Sequence, residues 1–307
     1  MEENINTEQK RSFTARFGKF HDKNYKLLLL LPVAIILFSV IYMAVFYSAH
    51  GDFIQRDISL TGGTSVTIYQ KISIDKIQTD LSGQLEDIDV REVYDLITRE
   101  QKAVIVETKT DADTTRQVLE DYLGYNLTSD NSSFEFTGSS LSSSFFKQLL
   151  IAVILAFIFM ALIVFLLFRT LVPSTAVIIS AFADIFMTLT IFNIFGMKMS
   201  SAGIVAFLML IGYSVDTDIL LTNRVLRRHE ATINSRIFGA FKTGMTMTLT
   251  SLLAVLIALI IIGPFSAVLT QIFTILVIGL GFDIFNTWIT NASIIKWYAI
   301  SKEKNEN

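Results

Sequence analysis

The chain has no cysteine in its 307 residues. Disulfides, thiolate catalysis and cysteine-held metal or iron–sulfur centres are therefore excluded, and the redox compartment leaves no trace in the sequence. Histidine is scarce as well. His21, His50 and His229 lie far apart in the chain, whereas the ligands of a metal site cluster, so no metal centre is expected. No surplus of basic charge exists either, since 25 lysines and arginines stand against 28 aspartates and glutamates for a net charge of −3. That balance argues against nucleic acid as a partner. Phosphate-binding glycine loops, nucleophile triads and metal clusters are all missing, so the chain does not read as an enzyme and no cofactor is implied.

What the chain has in abundance is apolar surface. At 52% hydrophobic residues, it carries more than one soluble core of this length could hide, and membrane lipids are its natural surroundings. Crossing a bilayer takes ~20 apolar residues. Six runs qualify: Leu27 to Tyr47, Leu149 to Phe168, Leu171 to Phe195, Met199 to Leu221, Thr243 to Ile262 and Phe265 to Ile295. The last is long enough to tilt or to protrude. The first follows 26 residues and is itself longer than the apolar core of a signal peptide, so it reads as a retained anchor.

Lysine and arginine near helix ends resist translocation and set orientation. Six lie in the tail through Lys26, one at Arg169, five from Arg224 to Lys242 and three from Lys296 onward, whereas the opposite short loops hold only Lys198. The tails 1–26 and 296–307 are therefore expected on the cytoplasmic side of a cell membrane, with residues 49–147 outside.

Those outer residues change character. Thr64 to Lys71 alternates as a strand does, Ile74 to Leu85 has helical spacing, Val90 to Ile97 and Ala103 to Lys109 read as strands, Asp111 to Leu123 as a helix and Ser133 to Thr137 as a strand. The order βαββαβ is that of a ferredoxin-like α+β domain, two helices on one face of a four-stranded antiparallel sheet. The predicted fold class is therefore a six-helix membrane bundle with this domain between its first and second helices. Between Gly138 and Ser144 the serine-rich stretch has the composition of a flexible connector. Two acceptor triplets for N-glycosylation, Asn126-Leu-Thr128 and Asn131-Ser-Ser133, fall on the same side.

Four acids fall inside the apolar runs: Asp184, Asp216, Asp218 and Asp283. Each costs about 2.5 to 3.5 kcal/mol at the bilayer centre on insertion scales, so each needs a reason. They either line a path on which acids take up and release protons or act as hydrogen-bond clamps between helices. The fifth run adds Thr243, Thr246, Thr248, Thr250 and Ser251, hydroxyls that bind helix to helix or line a wet path.

The fourth run reads Ile211-Gly212-Tyr213-Ser214-Val215-Asp216-Thr217-Asp218-Ile219, followed by Asn223-Arg224, and after the first run comes Asp57-Ile-Ser-Leu-Thr61-Gly62-Gly63-Thr64. Both resemble signatures of the SecD/SecF family of protein-export membrane proteins, and the likeness covers nearly the whole chain from about residue 20. The resemblance implies half of a transporter related to the resistance-nodulation-division group. It also implies pairing with SecD beside the SecY-type channel, translocating polypeptides as clients, and drive from the proton gradient. In two places the chain departs from the bacterial pattern: Thr217 stands where that pattern has aspartate, and the arginine of the fifth helix is missing from Thr246 to Ser251. Both departures resemble the archaeal branch. The competing readings are half of a proton-driven exporter of lipids or drugs, for which one 99-residue outer domain is small, and a membrane assembly scaffold.

Residues two apart on a helix point about 200° from each other. Asp216 shares a face with Gly212, and small Gly212 would let a neighbouring helix approach. On that basis Asp216 is expected in the bundle interior with Asp184 or Asp283, and Asp218 at a partner interface or the cytoplasmic mouth.

Overall fold

A computed structural model describes residues 27–95, 98–227 and 232–306. The tail 1–26, with His21, and His229 lie outside the described residues. So do Leu96 and Ile97, on which the expected second strand ended.

Helix α1, Leu30–His50, is apolar all round and ends on Gly51, whose left-handed φ of +72° lets its N–H reach Tyr47 O. A one-turn helix follows, α2 at Ile58–Thr61, which the sequence did not announce. Asp57 caps it by accepting from Ser59 N at 2.9 Å, the ordinary way a short side chain satisfies orphan helix donors.

The sheet domain then runs β1 Gly63–Ile68, α3 Ile74–Leu81, β2 Asp89–Tyr94, β3 Gln101–Thr108, α4 Ala112–Leu123 and β4 Ser132–Thr137. Its strand order is β2-β3-β1-β4, all antiparallel, with Val66 opposite both Val106 and Phe134. This is the ferredoxin-like arrangement. The period of two in a strand sorts the residues. Val66, Ile68, Val90, Val104 and Val106 form the core with Ile77, Leu81 and Leu119 from the helices. Ser65, Asp89, Arg91, Glu107 and Glu135 occupy the opposite face. That polar face does not meet open solvent alone. Together with Ser200, Ala267 and Gln271 from the bundle it lines a cavity of about 590 Å³.

Five further membrane-length helices follow: α5 Ser139–Phe168, α6 Leu171–Ile194, α7 Ser201–Arg227, α8 Ile233–Ile262 and α9 Ala267–Phe285. The last continues through a π-helical segment, Asn286–Asn291, into α10, Ala292–Glu306. Helices α6 and α7 are the most enclosed, whereas α1, α5 and α8 present Phe38, Ile154, Phe159, Ile257 and Ile260 outward, as lipid-facing helices do.

The serine stretch after Gly138 is no connector. Ser139–Ser144 forms the opening turns of α5, ten residues ahead of the apolar run at Leu149. This start of α5 packs backbone to backbone on Gly62, where an added Cβ would come within 2.6 Å of Ser139 Cα. Helix α8 likewise starts at Ile233, earlier than the apolar run at Thr243, because its first turns pack Ile237 and Ala240 into an apolar cluster with Leu221 and Val225.

Candidate intramembrane site

Near the middle of α6, Asp184 is fully buried. Its Oδ2 accepts from Ser214 Oγ of α7 at 2.6 Å, and its Oδ1 accepts from Asn286 Nδ2 of the π segment at 2.7 Å. One turn beyond Ser214, Asp218 is equally buried, and its Oδ1 accepts from Thr287 Oγ1 at 2.8 Å and Asn291 Nδ2 at 2.7 Å. Asp283 of α9 completes the group, within 3.3 Å of the same Thr287 hydroxyl. Three helices thus bring three carboxyls together on hydroxyl and amide partners.

The donor count is short. Thr287 carries one hydroxyl hydrogen for two carboxylates, and among the described residues Asp218 Oδ2 and Asp283 Oδ2 receive no hydrogen bond of normal geometry. The Ser180 hydroxyl, buried beside Asp218, makes no hydrogen bond of normal geometry among the described residues. Buried polar groups are rarely left unpaired, so these atoms need a reason for being there.

Sequence reasoning missed Asn286, Thr287, Thr290 and Asn291, all buried. Their signal was present as two polar pairs inside an otherwise apolar run. The wider π turn, frequent at functional positions, delivers these side chains to the carboxyls.

The expected positions of the two α7 acids are reversed. Asp218 is interior, while Asp216 faces outward with Gly212 and Tyr213. Among the described residues no heavy atom lies within 4 Å of where a Gly212 Cβ would stand, so no helix of this chain packs closely against that small residue. The face that matters carries Ser214 and Asp218, because their partners sit on α6, where Asp184 accepts from Ser214, and on the π segment, where Thr287 and Asn291 donate to Asp218. Thr217 points elsewhere, its hydroxyl 3.3 Å from Thr248 Oγ1 of α8. Thr217 thus meets the stretch Thr246 to Ser251, from which the bacterial arginine is missing. Gly244 makes the approach possible, since a Cβ there would stand 2.5 Å from the Trp288 ring. Thr246 and Thr250 are exposed and donate to the carbonyls of Lys242 and Thr246 in their own helix.

A second cluster joins the sheet domain to the bundle. Asp57 N donates to Met199 O at 3.0 Å, Met199 N to Gln55 O at 2.6 Å and Ser201 N to Ser59 Oγ at 2.9 Å. Thr61 Oγ1 donates to Asp57 O at 2.9 Å. Gly62 and Gly63, at φ of +84° and +149°, lie against Ser139 and Thr108 backbone with no room for a side chain. Lys198 reaches the sheet domain directly, 2.6 Å from Asp87. Burial raises the Asp87 carboxyl, but Lys198 and Lys109 more than offset it and hold it below its ordinary value. In the polar cavity, burial pushes Asp57 and Glu107 upward despite hydrogen bonds from Ser59 to the first and Arg91 beside the second.

Comparison with known proteins agrees with this frame. Residues 119–301 match the protein-family model "Protein export membrane protein SecD/SecF, C-terminal". The protein-export membrane protein SecF of Methanocaldococcus jannaschii is 38% identical over 283 residues, covering 90% of this chain and 96% of the relative. That of Methanothermobacter thermautotrophicus is 36% identical over 281 residues, covering 90% and 93%. Among solved structures, the translocon-associated membrane protein SecDF from Thermus thermophilus superposes with a TM-score of 0.70 at 17% identity. It is the longer chain: 90% of this one covers 38% of it. A match at that identity speaks for the fold. On the strength of the family match and the archaeal relatives, the chain belongs to the SecF family of protein-export membrane proteins.

Proposed function

We propose that the chain is an accessory subunit of the Sec protein-export machinery, standing beside a SecY-type channel with SecD as the second six-helix half, and that it draws on the proton gradient through Asp184, Asp218 and Asp283. The observation that carries the coupling is the short donor count around three buried carboxyls. A proton on Asp283 can be donated to Thr287 Oγ1, which already donates to Asp218 at 2.8 Å, so one hydroxyl links two acids. Each change of proton number also changes which of Asn286, Thr287 and Asn291 is held, and that moves the π segment against α6 and α7.

Orientation follows the cation asymmetry: both termini and the Arg224 to Lys242 segment are cytoplasmic, and the sheet domain is outside. The partner face is the outward stripe of α7, where Val205, Met209, Tyr213 and Asp216 are exposed. An acid at membrane depth is costly against lipid, and Asp216 there calls for a helix with a hydrogen-bond donor. SecD fits as that helix's source, since a transporter of this frame takes two halves.

Tagged chain extracted in mild detergent is expected to bring SecD with it in comparable amount, and Gly212→Leu, which fills the stripe, is expected to lower that recovery at least tenfold. Isolation of a monomer that is fully active in translocation would remove the partnership.

A further inference from the structure

Three Asn-X-Ser/Thr triplets occur in the chain: Asn126-Leu127-Thr128, Asn131-Ser132-Ser133 and Asn291-Ala292-Ser293. As sequence they are equivalent. The structure separates them. Asn291 is fully buried in the bundle with its amide on Asp218. Asn131 closes the turn before β4: its Nδ2 donates to Asn126 O at 3.0 Å and its Oδ1 accepts from Thr128 N at 2.8 Å. The nitrogen that would have to act as nucleophile there is already engaged, and Ser132 behind it is buried in β4.

Asn126 differs in each respect. It lies in irregular chain between α4 and β4 and is exposed, as is Thr128, while Leu127 between them is buried. Leu127 fixes the segment, its N donating to Glu120 Oε1 at 2.8 Å and its O accepting from Arg116 Nη1 at 3.3 Å. With Leu127 turned inward, the acceptor amide and the threonine hydroxyl of the triplet both belong to exposed residues. Because β4 runs from this turn toward α5, the loop stands at the end of the sheet farthest from α5, about 20 Å away along six strand residues.

We propose that Asn126 is an N-glycosylation site, the one usable acceptor of the three triplets. The donor is an oligosaccharide carried on a lipid phosphate. Asn126 Nδ2 bonds to the anomeric carbon, the bond from that carbon to the phosphate oxygen breaks, the lipid phosphate leaves with the electron pair, and the amide proton passes to a base. The assignment rests on the sheet domain facing outward.

The test is glycopeptide mass spectrometry on the full chain purified from its native membrane, with Ser82→Cys as a probe of side, since Ser82 is exposed in the sheet domain. A sugar mass is expected on the Asn126 peptide, absent in Asn126→Gln and in Thr128→Ala and unchanged in Ser133→Ala, which breaks the second triplet but keeps the Asn131 side chain that holds the loop. An unmodified Asn126 peptide, or sugar on Asn131 instead, overturns the proposal. Labelling of Ser82→Cys by an impermeant thiol reagent tells whether the orientation falls with it: labelled from outside, only the modification is wrong.

Discussion

Gly51 and Gly62 both hold left-handed backbone, at φ of +72° and +84°, but their surroundings differ. Nothing lies within 4 Å of a Cβ at Gly51, whereas one at Gly62 would press into Ser139 Cα at 2.6 Å and Thr137 O at 2.9 Å. Gly51→Ala should therefore cost only the conformational penalty, about 1 kcal/mol. Gly62→Ala adds backbone displacement at the seam between α5 and β1 and should cost about 3 kcal/mol or more. Thermal unfolding in detergent compares the two, and equal losses would mean that the seam is not tightly packed. The same scale explains a reading that the sequence could not support. That Asp216 and Asp218 occupy different faces of α7 was legible from helix geometry alone. Which face turned inward was not, because the decisive partners of Ser214 and Asp218, namely Asp184, Thr287 and Asn291, lie outside α7, and a lone glycine marks open space as readily as close contact.

At the scale of elements, the π segment is the part on which the site depends. Asn286, Thr287 and Asn291 supply three of the four donors to Asp184 and Asp218, and Ser214 of α7 supplies the other. Thr287→Val keeps the shape and removes the one hydroxyl shared by Asp218 and Asp283. It should cost about 1–3 kcal/mol, the penalty for leaving buried acceptors without a donor. Thr175→Val, at an exposed position where the hydroxyl only bonds the carbonyls of its own helix, should stay within about 0.5 kcal/mol. Similar effects from both would mean that the Thr287 contact carries no weight. The six apolar runs and the strand alternation were legible because each element buries a face by its own periodicity. The π turn, the one-turn helix α2 and the helical start of α5 were not. Each is shaped by contacts across the chain: donors for carboxyls on other helices, Ser201 against Ser59, and Gly62 against Ser139.

On the scale of the whole molecule, the sheet domain is tied to the α6–α7 connection by backbone hydrogen bonds at Met199 and by the Lys198–Asp87 ion pair. With no native cysteine, orientation is directly accessible: a single cysteine at Ser82 should react with impermeant thiol reagents from outside intact cells and one at Ser235 should not, and the reverse pattern would invert the topology. The central claim is that the buried cluster, not the outward acid of α7, couples export to the proton gradient. It is tested most directly by gradient-stimulated export with Asp218→Asn and Asp216→Asn at equal assembly with SecD. Asp218→Asn keeps the shape but cannot carry the charge, and the stimulated component should fall on the order of tenfold or more while Asp216→Asn retains most of it. An undiminished response in Asp218→Asn, or a larger loss in Asp216→Asn, would contradict the account.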